Sequence, residues 1–183
     1  NITLASDRST TISNGNLSAG AIGDNVNLSS KYYLRLDLTN DFTFPSAGRY
    51  IATTGTTDPY FTMVGDTTNL APDTTNNIKV LRKGIYLITF SGTFAFGSTS
   101  VARAVNVHIR GGTSVDPTSD LASATDQIAS TVSGSDYGNA TCTFVGELQA
   151  NSYLRFYAFS TQAQEAVLKS STHANIVLIR PTA

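Results

Sequence analysis

Two histidines, one cysteine and a scatter of carboxylates are the side chains best suited to chemistry in this chain. His108 stands beside Asn106 in an alternating run, and His173 precedes the final apolar run. A nucleophile and its base must converge, and no sequence spacing brings a particular serine to either imidazole. Neither HxH nor HExxH spacing occurs, so no zinc site is predicted. Cys142 alternates with Ala140 and Phe144 and has no adjacent cation to favour its thiolate. It therefore reads as a small buried hydrophobe. Asp116, Asp120, Asp126 and Asp136 gather loosely between strands. Calcium takes oxygen ligands of this kind, but their spacing fits no defined loop, and solvated acids are the simpler reading. Glu147 and Glu165 are the only glutamates, a thin basis for the facing carboxylates of a glycoside hydrolase. Gly111-Gly112 lacks both the lysine and the strand-to-helix setting of a phosphate cradle. No catalytic, cofactor or metal residue is nominated, and the chain reads as non-enzymatic.

Composition narrows the class further. Of 183 residues, 40% are hydrophobic but only 14% are charged, well below the usual quarter, and Thr, Ser, Asn and Gly fill the difference. Thr fits a pleated surface, while Asn and Gly supply turns. The net charge of −1 and the lack of a basic cluster exclude the electrostatics on which nucleic-acid binding depends. A single cysteine excludes an intrachain disulfide framework. No apolar run reaches the length of a membrane span, so membrane insertion is not expected, and no signal peptide is visible. The chain opens at Asn1 without a methionine, which fits either processing or a piece of a longer protein. Asn-x-Ser/Thr sequons at Asn1, Asn16, Asn27 and Asn139 are unremarkable in so polar a sequence.

The elements that must position these groups are strands. Residues 1–30 carry isolated apolar side chains among Ser, Asn, Gly and Asp. One copy cannot bury enough surface to offset its ordering entropy, so the segment is either a mobile leader or a stalk end completed by other chains. From Tyr32 onwards Leu34, Leu36 and Leu38 alternate with Tyr33, Arg35 and Asp37, the period of a half-buried strand. In residues 85–96, Tyr86, Ile88, Phe90, Phe94 and Phe96 share one face, and Gly92 predicts a bulge or bend. Val105, Val107 and Ile109 oppose Asn106 and His108. Ala140, Cys142, Phe144 and Leu148 fall together. Leu154, Phe156 and Ala158 oppose Tyr153, Arg155, Tyr157 and Phe159. Residues 174–180 are apolar on both faces, as in a strand covered on both sides. No stretch has a clear helical stripe; residues 160–170 come nearest and lack one. The pattern predicts an all-β jelly-roll sandwich of about 8–10 antiparallel strands over residues 31–183. Gly48-Arg-Tyr50 echoes Gly84-Ile-Tyr86 after a similar apolar approach, so two strand entrances should be built alike.

The run Ile78-x5-Gly84-x-Tyr86-x-Ile88-x-Phe90 resembles the hallmark of the tumour-necrosis-factor and complement-head jelly-roll superfamily. Val145-Gly-Glu-Leu148, then Tyr153-Leu-Arg-Phe156, and finally Ala174 to Ile179 resemble later family segments in the right order. Ile78 stands where the family has Phe, and Asn151-Ser152 replaces the usual Gly-Asp turn, so the likeness is rather to diverged bacteriophage, viral or spore-surface heads. The resemblance implies a three-fold symmetric trimer.

Packing makes a trimer reasonable independently. Tyr33, Tyr153, Tyr157 and Phe159 form a second set of large residues opposite the core-facing ones, and these four are the predicted trimer interface with two further copies of the chain. Cover by loops or cross-strand neighbours within one subunit is the alternative. The expected function is the knob of a virion spike, fibre or tail needle, on a virion surface or extracellular, attaching to a host-surface receptor or glycan. Loops at residues 97–100, 111–126 and 133–139 would carry recognition. Two other readings compete: a structural trimerisation head or decoration protein without a ligand and, more remotely, a carbohydrate-active enzyme.

Overall fold

A computed structural model describes residues 32–44, 48–53, 59–74, 77–96, 103–128, 136–161 and 166–182. The leader-or-stalk expectation for residues 1–30 and the loop at residues 97–100 lie outside them. Among the described residues thirteen strands form two facing sheets, and every pair of these strands is antiparallel. The first sheet runs β4 (Phe61–Gly65), β1 (Tyr33–Leu38), β13 (His173–Pro181), β7 (Gly84–Phe96) and β10 (Asp136–Leu148). Beyond the end of β13, β12 (Ala166–Leu168) takes over beside β7, and β2 (Phe42–Thr43) adds to it. The second sheet runs β5 (Leu70–Thr74), β6 (Asn77–Val80), β11 (Tyr153–Ser160), β8 (Arg103–Gly112) and β9 (Asp120–Ile128), with β3 (Gly48–Tyr50) against the far half of β11. The chain passes from one sheet to the other at β7–β8, β9–β10 and β10–β11, which is jelly-roll winding.

Strict alternation fixes the core. Along β7 every second residue from Gly84 to Phe96 is buried, and along β8 every second residue from Arg103 to Gly111. Leu34, Leu36, Tyr86, Ile88, Val105, Val107, Leu154, Ala158 and Ile176 are fully buried between the sheets. Phe61, Phe90 and Phe156 meet edge-on at the centre, with centroids 5.2–6.3 Å apart. Such geometry adds about 0.5–1.5 kcal/mol per pair beyond area burial.

Two expectations are corrected. Gly92 makes no bulge, since β7 and β10 stay in register across it. A Cβ there would come within 2.6 Å of Val107 Cγ1 on the opposite sheet, so glycine is needed for close sheet-to-sheet approach. Residues 120–126, expected as loop, form most of β9. Its sequence DLASATDQI is too polar to signal a strand, yet it caps the edge of the second sheet by pairing with β8. Register slips elsewhere: between Leu178 and Arg180 on β13, where Ile179 is exposed, between Pro72 and Thr74 on β5, and between Ile109 and Arg110 on β8.

Gly48 and Gly84 each open a strand, but the two entrances are not built alike: β3 is three residues at the second sheet, β7 thirteen in the first, and the tyrosines diverge. Tyr86 points into the core and its hydroxyl donates to the Arg82 carbonyl at 2.6 Å. Tyr50 packs on the outside of the second sheet against Tyr157.

Candidate functional site

The four predicted interface aromatics separate onto two surfaces. Tyr33 lies on the outer face of the first sheet; Tyr153, Tyr157 and Phe159 lie on the outer face of the second. Opposite faces of one sandwich cannot meet in a single patch. Contacts made through both faces would stack subunits in a line, whereas a ring of three needs contact surfaces inclined to one another.

On the second sheet Tyr157 is covered from within the subunit. Tyr157 lies 4.8 Å from Tyr50 between ring centroids and 5.6 Å from His108. The Arg110 guanidinium sits 4.5 Å above Tyr157, and Arg155 lies 3.8 Å from Tyr50. Lys79 stands over Tyr153. Three of the four loose acids have partners. Asp120 accepts from His108 Nδ1 and Arg110 Nε, each at 2.9 Å, and Asp116 pairs with Arg155 at 3.2 Å. Asp126 accepts the Asn139 amide. Partial burial works to raise the Asp120 carboxyl, but the hydrogen bonds from His108 and Arg110 outweigh it and hold the group below the ordinary carboxylate range. Among the described residues no group of three or more His, Cys, Asp or Glu side chains is placed to hold a metal ion.

The other groups nominated for chemistry are occupied or buried. His173 Nδ1 donates to the Ser171 carbonyl at 3.0 Å. Burial pushes the Cys142 thiol up to about 11, so at neutral pH it is a protonated thiol facing the core. Glu147 faces Lys83 at 3.8 Å, while Glu165 lies outside the described residues.

The outer face of the first sheet is of another kind. Val145, Leu87, Val177 and Tyr33 stand side by side in register on β10, β7, β13 and β1, giving an apolar row across four adjacent strands. The next rows are Thr143, Thr89, Asn175 and Arg35, then Thr141, Ser91, His173 and Asp37. The one ion pair of these rows, Arg35 with Asp37 at 2.8 Å, neutralises itself. Tyr33 donates its hydroxyl proton to Asn175 Oδ1 at 2.7 Å, laying its ring along the face. Among the described residues six large apolar side chains are exposed, and four of them belong to this sheet: Val64, Tyr137, Val145 and Ile179. Sequence reading missed Leu87, Val145 and Val177. The two-sided apolar character of residues 174–180 is the available signal: it predicts a strand covered on both sides, and the subunit itself buries only alternate residues.

No family model and no curated protein sequence matches the chain. Solved structures do. One is the Eiger TNF of S. frugiperda, at a TM-score of 0.54 and 11% identity, covering 84% of this chain and 96% of that one. Another is murine APRIL, at 0.54 and 13%, covering 81% and 98%. At these identities the likeness is one of backbone architecture, and the architecture this chain shares with them is the TNF-like jelly roll.

Proposed function

We propose that the chain assembles as a homotrimer through the outer face of the first sheet and serves as the head of a spike or fibre, on a virion or another extracellular surface, where it attaches to a host-surface receptor or glycan. The observation that carries this reading is the row Val145–Leu87–Val177–Tyr33, bordered by rows of Thr, Ser and Asn whose charges are confined to the Arg35–Asp37 ion pair at the β1 end. A four-strand face with so little charge matches the centre of a permanent interface, where charged residues are depleted. Three copies inclined about an axis would turn that row towards one another and remove it from water. The second sheet, with its ion pairs and covered rings, then faces outwards.

Of the four aromatics, this arrangement keeps Tyr33 at the interface and releases Tyr153, Tyr157 and Phe159 to the outer surface. The test is light scattering on the purified chain. A mass near three times 19.4 kDa is expected. Leu87→Glu and Val177→Glu should each give a monomer with an unchanged circular-dichroism spectrum, because three buried carboxylates near an axis cannot be neutralised by partners. A monomeric parent overturns the trimer, and a trimer that survives both substitutions overturns this face. Attachment is read by binding of the parent to intact host cells, which the monomeric variants should lose in avidity.

A further inference from the structure

A cleft of about 440 Å³ opens at the end of the sandwich where β1 begins, lined by Tyr32, Asp66, Thr68, Asn69 and Arg82. Three connections build it. Tyr32 leads into β1 and accepts the Leu178 amide. Residues 66–69 join β4 to β5, and the Asp66 amide donates to the Tyr33 carbonyl at 2.8 Å. Arg82 lies in the link from β6 to β7.

Asp66 is the unusual member. It is 5% exposed, yet it has no ion pair among the described residues. Its Oδ1 accepts the amides of Thr68 at 2.8 Å and Asn69 at 3.2 Å, and its Oδ2 accepts from the Asn69 side chain at 2.5 Å. A carboxylate offers about four acceptor positions, so one remains open on Oδ2. Burial first, and the Asp66 charge second, push the neighbouring Tyr86 hydroxyl up to about 12. Arg82 is the complement: an exposed guanidinium that pairs with no carboxylate among the described residues. One short cleft thus holds a fixed acceptor, a free planar cation, an aromatic ring and the Thr68 hydroxyl.

We infer that this cleft binds a carboxylate-bearing saccharide. The Arg82 fork matches a sugar carboxylate in bidentate geometry, Asp66 and Thr68 bond ring hydroxyls, and Tyr32 covers an apolar C–H face. The volume falls within the range of small-molecule sites. This names a ligand class for the proposed attachment role, yet the site lies within one subunit and needs no trimer.

The test is titration of the full chain with methyl glycosides of N-acetylneuraminic acid and of glucuronic acid, against methyl glucoside and inorganic phosphate, followed by calorimetry and by amide shifts of Asn69. Saturable binding of a sugar acid is expected, at least about tenfold tighter than the neutral glucoside. Arg82→Gln, at an exposed position, should bring acid and neutral sugars within about twofold, and Tyr32→Ala should weaken both. Light scattering on the same samples separates this inference from the assembly: a Leu87→Glu monomer that still binds supports the cleft whatever becomes of the trimer. No saturable binding of either acid, an acid preference undiminished in Arg82→Gln, or equal binding of phosphate each overturns it.

Discussion

A methyl group added at Gly48 would collide with the hydroxyl and Cζ of Tyr157, and the strand would have to give up the Tyr50–Tyr157–Arg110 stack to admit it. Gly48→Ala should therefore lower stability by about 1–3 kcal/mol, read as a shift in urea midpoint at constant slope. Asp120 in the same cluster makes a pH-dependent contribution. Its folded-state pKa lies below the unfolded value, so its stabilisation is present above about pH 3.9 and is lost as pH falls through the lower, folded value. The carboxylate is 39% exposed, and solvent screening limits the effect to under about 1 kcal/mol. Asp120→Asn should accordingly be the less stable protein at pH 7, with the gap closing in urea melts taken below pH 4.

At the scale of strands, alternation told much of what there was to know. Inward and outward faces of β1, β7, β8 and β11 follow the period of two because each has one dry side. What alternation could not tell is which outward face finds cover. Tyr157 and Val177 look alike in sequence, but β3 brings Tyr50 over the first, while no described element of the subunit crosses the second. β9 escaped because an edge strand needs little apolar content to pair, and the cleft residues escaped because three separate connections converge on them. Gly92 is ambiguous in sequence, since a glycine in a strand signals a bend and a close approach equally well. Gly92→Val should push β8 away from β7 through Val107 and cost about 1–3 kcal/mol in the same urea assay, with the register of β10 on β7 unchanged by amide exchange.

For the molecule as a whole, the two sheets divide the surface into a side crossed by an apolar row and a side of ion pairs and stacked rings. If the apolar row joins subunits, folding and assembly are linked, and the thermal midpoint should rise with protein concentration in the parent but not in Leu87→Glu. The position of Cys142 has a further consequence. It is the chain's sole thiol, on β10 with its sulfur turned inwards, one strand position from the outward-facing Thr141 and Thr143 that flank Val145. An alkylating reagent can reach it only when β10 lifts from its neighbours. The labelling rate at excess reagent therefore serves as a built-in clock for opening of that flank, and it should slow as subunits are concentrated enough to clamp the strand from outside.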